Sequence, residues 1–258
     1  MRNFLTKSNE KKRLDLLLLA LGLASTRTKA QDLIAGGHVT VDGAVVDHAG
    51  AKFSAESVVQ LKEPENPYVS RGGLKLAAAL DAFRVPVKGM RALDIGQSTG
   101  GFTDCLLQAG AEEIVGVDVG IGQLDPRLRD SRRVKFLEKM DIRQLDPVTV
   151  RAPFSLFVAD LSFISLTLVL PTITRFLAKP SDGIILVKPQ FELSPDGIGS
   201  GGIVRNAALR ESALARVLGA AKDLGFTVAG SIPSPVHGGD GNQEYLVHLR
   251  WHSQATRI

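Results

Sequence analysis

The chain has few of the residues that build disulfides and metal sites. Cys105 is its single cysteine, which excludes an internal disulfide and a cysteine-rich zinc site. The five histidines are scattered, and none belongs to the His-Glu-x-x-His motif of zinc proteases. We therefore expect an activity that uses no bound metal ion.

Long apolar segments are also missing. The longest, LLLLALGLA at 16–24, is too short to cross a bilayer, and its helical spacing after the charged KKRLD predicts an amphipathic helix. The N-terminal MRNFLTKSNEKKR has no apolar core of a signal peptide. We expect a cytoplasmic protein without a membrane partner.

Positive charge, by contrast, is concentrated near the N-terminus. The formal net charge is +4. Through residue 30, only Glu10 and Asp15 oppose a group of basic residues. This group comprises Arg2, Lys7, Lys11, Lys12, Arg13, Arg27 and Lys29. A solvated tail and a surface that binds a polyanion both explain such a cluster.

Residues 1–62 predict a small α+β domain. Four leucines recur at the spacing of one helical face: Leu14, Leu17, Leu18 and Leu21. Ser25 or Thr26 can cap a second helix, which runs to the AGG at 35–37. HVTVDGAVV then alternates around Asp42-Gly43, which is a two-residue hairpin signal, and SVVQL supplies a further strand.

The composition changes at residues 63–75, where prolines, Asn66 and Gly72-Gly73 predict a linker. From 76 to 258, strand signals such as RALDIG and GIILVKPQ alternate with helix signals such as FTDCLLQAG and RESALARVLGAAKDLG. This alternation predicts a larger α/β domain with a parallel, doubly wound sheet. Such sheets bind their ligands at the carboxyl ends of the strands.

The stretch LDIGQSTGGFTD at 93–104 predicts a strand, a glycine turn and a helix, which together can cradle an anion or a cofactor. It is not the Gly-x-Gly-x-x-Gly of dinucleotide folds, because Gln97 and Ser98 follow Gly96, and it lacks the Gly-Lys-Ser/Thr of a P-loop. Asp94 at the strand end would repel a pyrophosphate but can hold an ammonium group by opposite charge. NAD and ATP are therefore disfavoured.

Two more acids follow the next strands. Asp118 ends VGVDVG, where a carboxylate can bind two ribose hydroxyls. Asp141, in MDIR, can accept from adenine N6, and a turn acid is its alternative role. Ammonium, ribose and adenine together describe S-adenosylmethionine. The predicted cofactor-binding residues are Asp94, Gly96, Ser98, Gly100, Gly101, Phe102, Asp118 and Asp141.

The segment RLDLLLLALGLASTRTKAQDLIAGGHVTVDGAVV resembles the S-four RNA-binding domain, which is named for a small-subunit ribosomal protein. The resemblance implies that four basic residues face RNA phosphate: Lys12, Arg13, Arg27 and Lys29. Such contacts give affinity and salt dependence but little choice of sequence. An exposed charge with no ligand is the alternative for each of them.

Seven further stretches, YVSRGGLKL, LDIGQSTGGFTD, VGVDVG, VADLSFISL, LVKPQFE, GGIVRN and QEYLVHL, occur in the order of the TlyA-type proteins. These proteins are historically called haemolysins and are similar to ribose 2′-O-methyltransferases of the FtsJ type. With the first domain, the resemblance covers nearly the whole chain. It implies a Rossmann-like class I methyltransferase sheet, S-adenosylmethionine as cofactor, ribosomal RNA or ribosomal subunits as partners, and a cytidine 2′-hydroxyl as methyl acceptor.

The same resemblance implies four catalytic residues: Lys75, Asp160, Lys188 and Glu244. A ribose hydroxyl is a poor nucleophile, so methyl transfer to it needs in-line alignment and a base. Lys188 is the candidate base, or it orients the hydroxyl and stabilises the developing negative charge. Phe163 and Phe191 can stack on a nucleobase, but core packing is the expected role of both.

The chain also departs from the family. Gln97 stands where a small residue is expected, so it must point away from the cofactor or reach its carboxylate. Asp141 stands where family members often have Asn, and LSPDGIGSGG carries an acid and no base. Three other functions compete with methylation of ribosomal RNA. They are rRNA binding with a vestigial cofactor pocket, membrane lysis, and methylation of a small molecule, which would not need the basic N-terminal domain.

Overall fold

The computed structural model describes residues 11–62, 66–238 and 241–252, and the chain divides into two compact units, Met1–Pro67 and Tyr68–Ile258. The second unit opens with a helix over Gly72–Phe83, which begins inside the segment 63–75 that we predicted as a linker. The domain boundaries 1–62, 63–75 and 76–258 stay a prediction.

The first unit is a small α+β fold. Its elements are β1 (Lys12–Arg13), α1 (Leu14–Ala20), α2 (Arg27–Ala35), β2 (Val39–Val41), β3 (Ala44–Val45), β4 (Lys52–Phe53) and β5 (Val59–Leu61). Strand β2 lies between β3 and β5, and β1 pairs with β4; all these pairs are antiparallel. The helices and β2 share one apolar core, whose fully buried members include Leu14, Leu18, Ala30, Ile34 and Val39.

Local signals explain these elements. Thr26 caps α2, because its side chain accepts a hydrogen bond from Lys29 N. The predicted hairpin turns at Asp42-Gly43, where both residues have positive φ as a type I′ turn requires. Leu21, however, is 52% exposed, because α1 ends at Ala20 and the predicted apolar face stops one turn earlier.

The second unit is built on one large sheet. Its strands are β6 (Arg91–Ile95), β7 (Glu113–Val117), β8 (Val134–Leu137), β9 (Phe154–Ala159), β10 (Leu177–Val187), β11 (Phe226–Pro233) and β12 (Tyr245–Trp251). Its helices are α3 (Gly72–Phe83), α4 (Gly101–Gln108), α5 (Pro126–Arg129), α6 (Leu166–Ile173), α7 (Pro189–Glu192) and α8 (Ala207–Asp223). Among the described residues, the strand order is β11-β12-β10-β9-β6-β7-β8.

Helices cover both faces of this sheet, as the α/β prediction requires. Helices α3 and α4 pack on one face around Leu76, Phe102 and Leu106. Helices α6 and α8 pack on the other face, which is lined by residues such as Leu170 and Val217. The strands from β6 to β10 are parallel, but β12 runs antiparallel to both of its neighbours. Strands β11 and β12 follow one another without a crossover helix, which makes them antiparallel.

The order of the strands in the sheet indicates at which edge a ligand is expected to bind. From the interior strand β6 the chain moves outward through β7 to the edge strand β8, and it then returns to place β9 on the other side of β6. The loops after β6 and β9 therefore separate at the carboxyl ends of these strands. This is the switch point at which open α/β sheets bind ligands.

Candidate active site

A cavity of about 640 Å³ opens at this switch point. Its size suits a cofactor or another small molecule. The loops that follow four consecutive strands line it, and they contribute Gly96, Ser98, Asp118, Val119, Gly120, Met140, Asp141, Arg143, Asp160, Ser162 and Phe163 among others. Of the eight predicted cofactor residues, four therefore reach the cavity wall: Gly96, Ser98, Asp118 and Asp141.

The turn after β6 needs glycine at Gly96. This residue has φ +83°, and a Cβ there would overlap the backbone carbonyl of Asp160. Ser98 also has positive φ, and its backbone N–H donates to Asp118 Oδ2 at 2.8 Å. The turn after β6 is thus tied to the loops after β7 and β9.

The last part of the stretch LDIGQSTGGFTD contributes to the packing of α4 against α3. Gly100 has φ +93°, and a Cβ on Gly101 would overlap Ser70 Oγ and lie 2.9 Å from Gly73 N. Phe102 is buried between α3, α4 and the sheet. None of Gly100, Gly101 and Phe102 is among the described residues that line the cavity, so their contact with a cofactor stays a prediction.

Asp94 is fully buried and has one carboxylate oxygen without a partner. Its Oδ2 accepts a hydrogen bond from Thr103 Oγ1 at 2.6 Å, while Oδ1 has none among the described residues. Burial raises the pKa of Asp94 to about 7, and the carboxylates of Asp160 and Asp118 add to this rise. An unpartnered buried carboxylate oxygen fits a cationic group of a ligand. Asp94 is not itself in the cavity wall, so the ammonium contact stays a prediction.

Gln97 turns away from the cavity. Its side chain is 5% exposed, and its Nε2 donates to Thr103 Oγ1 at 2.8 Å. A Cβ on Gly116 would overlap the Gln97 amide, so the amide lies over the bare backbone of β7. Of the two orientations that the sequence left open, the structure has the one in which Gln97 points into the protein interior.

Asp118 and Asp141 line the cavity with different partners. Asp118 accepts backbone hydrogen bonds from Ser98 N and from Gly120 N, the latter at 2.6 Å. Asp141 pairs with Arg143 Nη2 at 2.6 Å and accepts from Arg143 N, and the hydrogen bonds from Arg143 lower the pKa of Asp141. These contacts of Asp141 are those of a turn acid, and its contact with adenine stays a prediction.

The four predicted catalytic residues form two ion pairs. Lys75 Nζ lies 2.5 Å from Glu244 Oε2, and both side chains are buried. Lys188 Nζ lies 2.7 Å from Asp160 Oδ1 and donates to Ser162 Oγ at 2.9 Å. Buried charges are tolerated when they are paired in this way, because an unpaired one would lose its hydration without compensation.

The strand register explains why these residues meet. Ala159 of β9 pairs with Ile185 of β10, and Val187 of β10 pairs with Tyr245 of β12. Asp160 and Lys188 therefore leave the sheet at its carboxyl edge. Glu244 reaches the same edge because β12 runs in the opposite direction. Ser162 was not predicted, although it lies two residues after Asp160 in the VADLSFISL stretch.

Phe163 contradicts its expected role in the core. Its side chain is 92% exposed, it lines the cavity, and its backbone has φ +63°. Its ring centroid lies 5.2 Å from that of Phe191, which is partly buried. Core packing was therefore the wrong interpretation for Phe163. A positive φ in a bulky residue is rare and is not readable from composition.

In the first unit, a buried acid holds two of the predicted RNA-binding residues. Asp15 is fully buried and accepts from Arg13 Nη2 at 2.9 Å and from Arg27 Nε at 3.1 Å. These hydrogen bonds hold the pKa of Asp15 well below its usual range, although burial opposes them. Lys12 is exposed, and Lys29 Nζ donates to the backbone carbonyl of Asn66. Phosphate contact by these four residues stays a prediction.

Neither a cluster of metal ligands nor a membrane-spanning helix occurs among the described residues. Among them, no group of three or more His, Cys, Asp and Glu side chains is arranged to hold a metal ion. Within the same described ranges, every helix is too short or too polar to cross a membrane.

Comparisons with known proteins match both units. The model of the FtsJ-like methyltransferase family matches residues 68–251, and that of the S4 domain matches residues 12–59. A Mycobacterium tuberculosis protein named 16S/23S rRNA (cytidine-2′-O)-methyltransferase TlyA is 42% identical, over 92% of this chain and 89% of its own length. Hemolysin A of Brachyspira hyodysenteriae is 38% identical, over 92% of this chain and 99% of its own length.

A solved structure shows the same architecture. It is a hemolysin-named protein from Streptococcus thermophilus, with a TM-score of 0.75 and 41% sequence identity. The match covers 95% of this chain and 90% of the other. With the family models and the two relatives, it places the whole described chain in one family. The chain belongs to the TlyA family, whose larger unit is an FtsJ-like methyltransferase domain and whose smaller unit is an S4 domain.

Proposed function

We propose that this protein transfers a methyl group from S-adenosylmethionine to the 2′-hydroxyl of a cytidine in ribosomal RNA. The observation that carries the proposal is the geometry at the carboxyl edge of the sheet. Two lysine–carboxylate pairs, Lys75–Glu244 and Lys188–Asp160, leave the sheet there, and Asp160 is itself part of the wall of the cofactor-sized cavity. The name of the Mycobacterium tuberculosis relative supports the substrate class.

The residues around the cavity fit S-adenosylmethionine. The unpartnered Asp94 Oδ1 suits the ammonium group, Asp118 suits the ribose hydroxyls, and Asp141 suits the adenine amino group. When bound, this cofactor supplies a sulfonium methyl that needs no metal ion for activation. The protein's own contribution is therefore alignment of the acceptor and removal of its proton.

We assign to Lys188 the action on the acceptor hydroxyl. Asp160 and Ser162, which both line the cavity, each have an oxygen within 3 Å of its Nζ and hold that nitrogen. In this position Lys188 either accepts the hydroxyl proton or donates a hydrogen bond to the oxygen as negative charge develops. Lys75 and Glu244 form the second pair and hold the start of β12 against α3.

The exposed Phe163 suits a nucleotide substrate. Sequence-specific RNA enzymes act on unstacked nucleotides, whose bases stack on aromatic side chains. Phe163 offers a ring face at the cavity wall, and Phe191 supports it at 5.2 Å. The S4 domain would supply phosphate contacts through Lys12, Arg13, Arg27 and Lys29. A small-molecule methyltransferase would need neither feature.

The test is methyl transfer from labelled S-adenosylmethionine to purified small and large ribosomal subunits. We expect label at one alkali-resistant linkage, lost in Lys188→Ala. Lys179→Ala is the matched control, because Lys179 lies toward the opposite end of the same strand, 5.3 Å from the Trp251 ring, and we expect it to retain activity.

Lys188→Arg separates the two roles of Lys188, since a guanidinium can donate a hydrogen bond but cannot accept a proton. Retained activity in Lys188→Arg assigns orientation, and its loss assigns the base. Transfer that survives in Lys188→Ala contradicts a chemical role for this lysine. Cofactor binding by calorimetry without transfer to either subunit contradicts the proposed reaction on ribosomal subunits. Absence of cofactor binding, even with RNA present, favours an rRNA-binding protein with a vestigial pocket.

A further inference from the structure

A buried chain of hydrogen bonds connects Gln97 to Asp94. Gln97 Nε2 lies 2.8 Å from Thr103 Oγ1, and Thr103 Oγ1 lies 2.6 Å from Asp94 Oδ2. The side chain of Gln97 is 5% exposed, and those of Thr103 and Asp94 are fully buried. Because water does not reach these groups, each hydrogen bond is stronger than it would be at the surface.

The chemistry of the three groups fixes the direction of this chain. A threonine hydroxyl has one proton, and an ionised carboxylate can only accept. Thr103 therefore donates its proton to Asp94, and its oxygen must accept from the Gln97 amide. The Gln97 donor thus keeps the hydroxyl proton directed at the carboxylate.

Gly116 makes room for this arrangement. In the sheet register, Gly116 of β7 lies directly beside Asp94 of β6. A Cβ on Gly116 would overlap the Gln97 amide. Because Gly116 has no side chain, the amide of Gln97 occupies the space that a Cβ at this position of β7 would fill. This position lies opposite Asp94 in the register of β6 and β7.

The other groups around Asp94 disfavour its charge. Burial and the two carboxylates that act on it, Asp160 after β9 and Asp118 after β7, all oppose ionisation. Thr103 is the contact that favours the charged form. The pKa of Asp94 is raised to about 7, so a small change in this balance alters its charge at neutral pH.

We propose that Gln97 is a positioning residue that acts through Thr103 to hold Asp94 as an oriented anion for the ammonium group of the cofactor. This inference rests on the proposed function for its ligand. The hydrogen-bond chain itself is a property of the ligand-free protein, so the two parts can be tested separately.

The ligand-free test uses the full chain with Gln97→Met, which keeps most of the volume and removes the donor. Carbon-13 NMR of the Asp94 carboxyl, titrated from about pH 5 to about pH 9, gives its ionisation midpoint. We expect a higher midpoint in Gln97→Met and in Thr103→Val. We expect no further rise when the two are combined, because both act through one chain. An unchanged midpoint in Gln97→Met, or additive effects, overturns the proposal.

The ligand test uses calorimetry with two probes. S-adenosylhomocysteine has the amino-acid group, and 5′-methylthioadenosine lacks it. We expect Gln97→Met to weaken S-adenosylhomocysteine about fivefold near pH 7, with the loss shrinking above pH 8 as Asp94 ionises, and to leave 5′-methylthioadenosine unchanged. Equal loss for both probes overturns the proposal. If wild-type protein binds neither probe, the proposed function fails, whatever the NMR titration gives.

A further pair of variants separates the loss of the Gln97 hydrogen-bond donor from the loss of the Gln97 side-chain volume. Gln97→Ala leaves a void, and Gly116→Ala adds a Cβ where the Gln97 amide was. We expect Gln97→Ala/Gly116→Ala to recover thermal stability relative to Gln97→Ala, because the new methyl group fills part of the void. The affinity for S-adenosylhomocysteine should stay low, because the donor is still missing. Recovery of that affinity together with stability assigns the effect to packing and overturns the proposal.

Discussion

At the scale of single residues, burial decides the charge of Asp94. An exposed aspartate is ionised throughout the neutral range, but Asp94 has no exposed surface and its pKa is raised to about 7. The folded protein therefore binds a proton more tightly at this site than the unfolded chain does. Stability must then depend on pH, and the sign follows from linkage.

We predict that Asp94→Asn removes part of this pH dependence. A raised pKa in the folded state stabilises the protein fully below about pH 4, and the stabilisation is lost as pH rises through about 7. In the wild type we expect the free energy of unfolding to fall by a few kcal/mol over this window because of Asp94. Urea unfolding at pH 5 and pH 8 measures the difference.

Asp223→Asn, at the exposed end of α8, is the control for that experiment. Glu192 is also buried with a raised pKa, so it contributes a fall of the same sign in every variant. The comparison with the wild type isolates Asp94. An equal fall between pH 5 and pH 8 in Asp94→Asn and in the wild type would contradict the prediction.

Phe163 combines exposure with an unfavourable backbone conformation. At 92% exposure and φ +63°, its ring adds little to folding. We predict that Phe163→Ala lowers kcat/KM for ribosomal RNA at least about fivefold, since base stacking contributes about 1–3 kcal/mol. Cofactor affinity should not change. Phe163→Gly should destabilise the protein less than Phe163→Ala does, because glycine adopts positive φ without steric cost.

The matched control is Leu168→Ala, another exposed apolar residue, which lies on α6 and is 61% exposed. Single-turnover methylation and cofactor calorimetry on the same preparations separate RNA contact from cofactor binding. Equal loss in Leu168→Ala would assign the effect to general surface hydrophobicity and not to stacking.

At the scale of elements, α3 and α4 approach closely because both begin with glycine. A Cβ on Gly101 would overlap Ser70 Oγ and lie 2.9 Å from Gly73 N. We predict that Gly101→Ala lowers the free energy of unfolding by about 2 kcal/mol, because the backbone of α3 must shift. Since α3 carries Lys75, methylation should fall as well.

Gly219→Ala is the contrasting substitution. Gly219 lies inside α8, and a Cβ there would meet no atom within 4 Å beyond its chain neighbours and the backbone of its own helix. This change should raise the free energy of unfolding by about 0.5–1 kcal/mol through helix propensity. Chemical unfolding of both variants checks the pair, and destabilisation by Gly219→Ala would show that the surroundings of α8 are tighter than described.

Elements with strong periodicity were predictable from the sequence, and those set by distant contacts were not. The leucine spacing predicted α1, and Asp42-Gly43 predicted the hairpin of β2 and β3. The reversed direction of β12 depends on its pairing with β10, which no local pattern encodes. The two-residue strands β1 and β4 are defined only by each other.

The residues of the candidate site also fall into those that a local sequence pattern predicts and those that depend on distant contacts. Asp118 and Asp141 were predictable as acids at strand ends, because a strand end fixes where a side chain emerges. The Lys75–Glu244 pair, in contrast, joins residues 169 positions apart, and resemblance to a family was the sequence signal for it. The exposure of Phe163 depends on its own positive φ, which hydrophobicity does not reveal.

At the scale of the whole molecule, the first 30 residues carry a basic cluster, with seven Lys and Arg against two acids. We predict that Lys12→Gln reduces the salt dependence of binding to ribosomal RNA. The slope of log K against log salt should fall by about 0.9 if Lys12 contacts one phosphate. Binding of the full chain to rRNA fragments at several salt concentrations measures this slope.

Lys222→Gln, in the last turn of α8, is the control for that measurement. It makes the same change in net charge at a different place in the chain. An equal change of slope in Lys12→Gln and Lys222→Gln would indicate a general field effect and not a local phosphate contact.

The distance in sequence between Lys75 and Glu244 has a consequence for biosynthesis. These residues are 169 positions apart, so at ordinary translation rates Lys75 leaves the ribosome on the order of ten seconds before its partner. Until β12 joins the sheet, a buried Lys75 would be an uncompensated charge, and α3 gains little from docking early. The sheet edge that carries this pair is thus completed by β12, the last of the described strands. A chain truncated before residue 244 would keep its lysine hydrated and its sheet open, and cellular proteases could recognise it as incomplete.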